Sequence, residues 1–247
     1  MFIYNASCFY MKEDFVPGPL EHRESAPPEY AGGIPDAVFF VGDSITFGWR
    51  DEDVGGWPAR LSGAIANRHG VTAYNLGVRG DTSRSILARW EDEVGRRKQA
   101  HSAIVFAFGA NDAKLDARGQ SLIAPEETRR NTAAILSGAK RDHAVLLIGP
   151  APVDEAALAK VLNPSGSVPV PSNRQIGIVS DILAEEAERA GIPYFDLMHR
   201  LAADEDWFEA LRGTDGIHPP GRGHDRIAAL VLAWQPWASL FRMDASA

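Results

Sequence analysis

The sequence predicts an α/β protein built on a mainly parallel, five-stranded sheet with helices on both faces. Short apolar runs alternate with longer amphipathic ones from Ala37 onward, the pattern of strand–helix–strand units. With 247 residues of which 45% are apolar, the chain can bury a substantial core as one domain. It contains no internal repeat and no low-complexity tract that would point to a solenoid or a linker instead.

The elements follow in order. Residues 1–35 stand apart: Pro17, Pro19, Pro27 and Pro28, scattered charges, and the aromatics Phe9, Tyr10 and Phe15 show no period. They read as an N-terminal arm, free to pack on the body or to join a second copy of the chain as a homo-oligomer. The remainder, 36–247, reads as one globular domain. Its expected strands are Ala37–Val41, Thr72–Asn75, Ala103–Phe108, Ala144–Ile148 and Ile192–Phe195, continuous apolar runs of the kind buried on both faces. Between them, helical periodicity runs over Pro58–Arg68, Ser83–Gln99, Pro125–Lys140, Asn173–Ala190 and His224–Trp234.

Composition excludes several classes. Lys+Arg number 25 against 33 Asp+Glu, a net charge of −8 that repels nucleic acid unless a basic face exists. The compact basic run, Arg96-Arg97-Lys98, suits the solvated C-terminal end of a helix. Cys8 is alone and cannot form an internal disulfide, and no Cys/His cluster has metal-ligand spacing. No stretch approaches the ~20 apolar residues of a membrane span, and no export signal opens the chain. The expectation is a soluble, cytoplasmic protein without a Cys/His metal site.

Chemistry concentrates in four blocks: Gly42-Asp43-Ser44-Ile45-Thr46-Phe47-Gly48, Asn75-Leu76-Gly77, Gly109-Ala110-Asn111-Asp112 and Asp215-Gly216-Ile217-His218-Pro219. The first three follow the first three strands, and ligands of a parallel sheet bind beyond its carboxyl edge. Ser44 supplies a hydroxyl that needs a base to become a nucleophile. The Asp215-x-x-His218 spacing in a Gly/Pro-punctuated loop lets the carboxylate orient the imidazole, leaving Nε2 for the serine. The backbone N–H of Ser44, the N–H of Gly77 and the amide of Asn111 are the candidate oxyanion donors.

Each block has a plainer reading. Ser44 could be a helix N-cap, Gly77 a loop glycine and Asn111 the centre of an Asx turn. Asp196 and His199 repeat the D-x-x-H spacing, but they stand where a helix starts, and Asp196 reads as its cap. Arg79-Gly80-Asp81 reads as the turn into the helix at Ser83, with Asp81 or Thr82 near the N-cap, and His224 as structural. A noncatalytic module that binds a small ligand or an anion at helix N-termini is the alternative of a different class.

In these four blocks the chain resembles the GDSL lipases and esterases, the SGNH hydrolases, over about residues 37 to 235. Ser44, Gly77, Asn111 and His218 match the letters of that name, Asp215 stands in the acid position, and Ile45 replaces the leucine. The resemblance implies a three-layer α/β/α sandwich with a flavodoxin-like sheet. It also implies hydrolysis of esters or thioesters through an acyl-enzyme on Ser44, without a cofactor. Substrates within its range include small acyl esters, acylated sugars, thioesters and lysophospholipids. Three segments are placed to line a pocket: Trp49–Trp57, Ala151–Ser172 and Ala202–Gly213, bringing Trp49, Trp57, Trp207, Phe208, Val153, Leu158 and Val161.

Overall fold

The computed structural model describes residues 33–97, 99–116, 118–161 and 172–243. All but the end of the expected N-terminal arm lies outside the described residues. The sheet consists of β1 (Ala37–Gly42), β2 (Thr72–Gly77), β3 (Ser102–Ala107), β4 (Ala144–Ile148) and β5 (Tyr194–Phe195). Every pairing is parallel and the order is β2-β1-β3-β4-β5, the flavodoxin arrangement. Gly42 is level with both Gly77 and Ala107, so three strands end together and deliver their loops to one edge.

Alternation along the central strand β1 divides the core in two. Ala37, Phe39 and Val41 face one helical layer, whereas Val38 and Phe40 face the other, all fully buried. Burying each phenylalanine contributes about 1.5–3 kcal/mol, so neither face tolerates a polar residue. The first layer is α3 (Ser83–Gly95), α4 (Pro125–Ala139) and α6 (Asn173–Ala190). Its apolar stripes keep helical spacing, as in Ile176, Val179, Leu183 and Ala187 of α6. The second layer is α2 (Gly56–His69), α7 (Leu197–Leu201), α8 (Glu205–Arg212), α9 (Gly221–Leu232) and α10 (Gln235–Leu240). The short helices α1 (Ser44–Phe47) and α5 (Glu155–Val161) lie after β1 and β4. The result is a three-layer α/β/α sandwich.

Local chemistry sets the boundaries. Thr82 caps α3 and Ser172 caps α6 by accepting the N–H of Ser85 and Gln175. The Arg97 guanidinium donates to the Glu93 carbonyl at 2.7 Å, closing the last turn of α3 four residues before the expected Gln99. Strand β5 is shorter than the expected Ile192–Phe195: the Ile192 N–H is taken by Ala187 O at 2.9 Å in the end of α6, and Pro193 has no N–H to give. Helices α8 and α10 were not anticipated. In α8, Trp207, Ala210 and Leu211 form a buried stripe behind the Asp204 cap, so the 202–213 segment is mainly core rather than pocket wall. No helix among the described residues is long and apolar enough to cross a membrane.

Candidate active site

The site stands where β1 and β3 diverge, the point at which the strand order reverses. At the end of β1, a Cβ on Gly42 would lie 2.2 Å from Ala107 O, so only glycine lets the two strands end this close. Asp43 then caps α1, its Oδ1 accepting the Ile45 N–H at 2.9 Å. The cap is therefore Asp43 and Ser44 is the first helical residue. Gly48, at φ 86°, ends the helix after one turn.

His218 Nε2 lies 2.9 Å from Ser44 Oγ, and His218 Nδ1 lies 2.9 Å from Asp215 Oδ2. Residues 174 positions apart thus form one hydrogen-bonded line. The Asp215 loop is held by its own backbone, since Oδ1 accepts the N–H of Ile217 at 3.1 Å and of His218 at 2.9 Å. Arg50 Nε donates to Oδ2 at 3.1 Å. Burial alone would raise the Asp215 carboxyl, but the His218 ring and the N–H groups of His218 and Ile217 outweigh it and hold the acid well below its ordinary range. The carboxylate form of Asp215 is accordingly favoured.

On the opposite side of Ser44, Asn111 is buried, and its Nδ2 donates to Asp81 O at 2.8 Å with Asp43 Oδ2 at 3.5 Å. The neighbouring Asp112 accepts the Ser83 N–H at 2.7 Å and the Thr128 hydroxyl at 2.8 Å, tying this loop to α3 and α4. Gly77 is placed differently from the sequence expectation. Its N–H donates to Asn75 Oδ1 at 3.0 Å, and it backs onto Phe47, whose N would lie 2.2 Å from an added Cβ. Gly77 therefore serves close packing, and the oxyanion assignment is corrected. Gly80 instead lines the same cavity as Ser44, Asn111 and His218, with φ +84° and no acceptor for its N–H among the described residues. The clue in the sequence was the Arg79-Gly80-Asp81 turn, read only as a helix entry.

Arg89 was missed altogether. Its guanidinium donates to Asp81 Oδ2 at 2.6 Å, Gly42 O at 3.1 Å and Leu76 O at 2.9 Å, fastening the ends of β1 and β2 to the Gly80 turn. Nothing local announces such a role for a mid-helix arginine. Asp43 is buried here, as are Asp81 and Asp112. Desolvation pushes Asp43 up to about 6, against the pull of the Ile45 N–H, His218 and Lys114.

The rival D-x-x-H pair is elsewhere. Asp196 caps α7 through the His199 N–H at 3.0 Å, and His199 Nδ1 is 3.7 Å from Asp196 Oδ2, so the pair is a helix start. His224 is fully buried in the first turn of α9, where desolvation drives its imidazole down to about 4.

Two spaces lie near Ser44 and share Asp43, Ile45, Ala110 and Ile217 in their walls. A cavity of about 330 Å³ is lined by Ser44, Arg79, Gly80, Asn111, Lys114 and His218 among others. An apolar pocket of about 30 Å³ lies behind Ile45 and Ile217 and is walled by Trp57, Phe108, Ile148 and Val153. Of the segments expected to line a pocket, Trp57 and Val153 do so. Trp207 and Leu158 are core, Phe208 packs against core, and Val161 is exposed. Residues 162–171 of that set lie outside the described residues.

Comparison with known proteins agrees with this geometry. The GDSL-like lipase/acylhydrolase family matches residues 40–226. A GDSL lipase of Mycobacterium tuberculosis is 28% identical over 208 residues, 78% of this chain and 80% of that protein. The isoamyl acetate-hydrolyzing esterase of Saccharomyces cerevisiae is 28% identical over 214 residues, 81% of this chain and 88% of that one. The crystal structure of a lipase/acylhydrolase from Enterococcus faecalis superposes with a TM-score of 0.60 at 27% identity, over 79% of this chain and 92% of the other.

Proposed function

Because this chain belongs to the GDSL-like lipase/acylhydrolase family and is a carboxylic ester hydrolase, we propose that it works through an acyl-enzyme on Ser44. His218 is the base, Asp215 its orienting acid, and the N–H groups of Ser44 and Gly80 with the Asn111 amide are the oxyanion donors. The observation that carries the reading is the pair of 2.9 Å contacts from His218, one to Ser44 Oγ and one to Asp215 Oδ2. A noncatalytic binding module would give no reason for a half-buried imidazole to join those two groups.

In the first half-reaction Ser44 Oγ attacks the acyl carbon while its proton passes to His218 Nε2. The negative charge gathered on the carbonyl oxygen is met by these donors, which lowers the barrier. The bond to the alcohol oxygen then breaks and His218 returns its proton to that leaving group. Water, deprotonated by the same imidazole, adds to the acyl carbon and releases the acid and free Ser44.

The substrate we propose is a short-acyl ester. A pocket of about 30 Å³ has room for a methyl or ethyl tail, since a single water needs roughly 10–15 Å³ on this measure. A fluorophosphonate probe tests the mechanism: it should form an adduct on Ser44 that mass spectrometry locates, and Ser44→Ala should abolish both adduct and turnover of p-nitrophenyl acetate. Labelling at another residue, or turnover by Ser44→Ala, would sink the assignment.

A further inference from the structure

We propose that the ester carries an anionic oxygen group, a carboxylate or a phosphate, on its alcohol side, and that Arg79 and Lys114 hold it. This rests on the acyl-enzyme reading above, because it takes the apolar pocket as the acyl end and the 330 Å³ cavity as the alcohol end.

Both cations line that cavity together with Ser44 and His218. Neither has a carboxylate within ion-pair distance among the described residues. Their neighbours do: Arg50 pairs with Asp215, Arg60 with Asp51 and Asp225, Arg84 with Glu127, and Arg89 with Asp81. In a chain with 33 acidic against 25 basic residues, two unmatched cations facing one cavity ask for a partner from outside.

The Arg79 guanidinium carbon sits 3.3 Å above the centre of the Trp49 ring. Stacking fixes the plane of the fork, yet leaves its N–H donors radiating in that plane toward a bidentate acceptor. Lys114 is half-buried, and desolvation draws its ammonium down while the charge of Asp43 pulls it back up. Asp43 is the acid in the cavity wall, and its Oδ1 is already engaged by the Ile45 N–H. A charge removed from water without a direct partner is costly, and a substrate anion would supply that partner.

The reaction stays an ester hydrolysis. The acyl carbon loses its bond to the alcohol oxygen, which leaves with the proton from His218 and takes the anionic group with it. Water replaces it on the acyl carbon.

The test compares para-acetoxybenzoate with neutral para-acetoxybenzamide, and para-acetoxyphenyl phosphate as the phosphate arm. The anionic esters should be favoured in kcat/KM by about tenfold or more, as expected for a charge-assisted contact. That ratio should collapse toward one in Arg79→Gln and Lys114→Gln and be restored in part by Arg79→Lys. The better of the two anionic arms identifies the group. A ratio near or below one, or a ratio indifferent to both substitutions, overturns the proposal.

Calorimetry supplies a readout that needs no turnover. Para-hydroxybenzoate should bind the unmodified protein more tightly than para-hydroxybenzamide, and the difference should shrink in the variants. If no ester is cleaved and Ser44 takes no probe, the acyl-enzyme reading has failed, and this binding difference still decides the anion site. Equal binding of the two phenols then overturns it.

Discussion

Arg50 Nε lies 3.1 Å from Asp215 Oδ2, the same oxygen that meets the His218 ring at 2.9 Å. Arg50 follows the Ser44 helix in a left-handed conformation, φ 71°, and so ties the Ser44 segment directly to the His218 loop. The contact is a positioning device on an exposed rim, with the Arg50 side chain 45% accessible.

An exposed pair of this kind is worth about 0.2–1 kcal/mol, so Arg50→Gln should lower kcat by up to about fivefold. KM and the melting temperature should hold, and Arg50→Lys should recover part of the loss. An unchanged kcat in Arg50→Gln would remove the positioning role.

Two buried groups oppose each other in the stability of the fold against pH. Asp43 has a folded value raised to about 6, so its contribution is complete below its unfolded value near 4 and is lost as pH rises through 6. His224 has a folded value lowered to about 4, so its contribution is complete above about 6.5 and is lost as pH falls through 4. Urea unfolding between those limits should therefore be nearly flat with pH in the parent. Asp43→Asn should unmask a stability that climbs with pH, ending about 2–3 kcal/mol above the unsubstituted trend. His224→Gln should unmask one that declines. Parallel curves for all three proteins would count against both assignments.

Gly77 and Gly80 should fail in different ways. In Gly77→Ala the new carbon lies 2.2 Å from Phe47 N and 2.6 Å from its Cα, a backbone that cannot yield cheaply. That overpacking should cost about 1–3 kcal/mol, read as a lower melting temperature. Gly80→Ala has open space but a φ of +84°, so it strains the turn that presents the N–H. Its main effect should be a loss in kcat of about tenfold or more, approaching the 10²–10³ of a missing oxyanion donor. Full activity in Gly80→Ala together with dead but stable Gly77→Ala would reverse the two roles.

The apolar pocket predicts a steep dependence on acyl length. Along a series of p-nitrophenyl esters, kcat/KM should peak at acetate or propionate and drop by about tenfold or more by octanoate. Each methylene left outside forgoes about 0.8 kcal/mol of burial. Ile45→Ala widens the pocket at a partly buried position and should move the optimum to longer chains. A flat profile, or one unaffected by Ile45→Ala, would place the acyl group elsewhere.

Strand and helix order were legible because burial imposes its period on the residues themselves. The β1 run Ala-Val-Phe-Phe-Val can be stable only between two apolar layers, and the Ile176/Val179/Leu183/Ala187 spacing only on one face of a helix. The Ser44, Asn111, Asp215 and His218 blocks were legible because each carries its local chemistry in a few consecutive residues. Helix α8 was not, since Trp207 reads equally as pocket wall or core until its Nε1 finds Pro152 O at 3.0 Å.

What the sequence determined alone is thus the class of fold and the four blocks proposed to carry the chemistry, both set by short-range pattern. The tertiary structure decided which glycine faces the cavity and which packs, for Gly77 and Gly80 differ only in what distant backbone and side chains approach them. It also decided that Arg89 braces two strand ends and that Arg79 and Lys114 line one cavity with no carboxylate at ion-pair distance among the described residues. Partners brought together from opposite ends of the chain depend on how strands are ordered in space, and no local run of residues encodes that meeting.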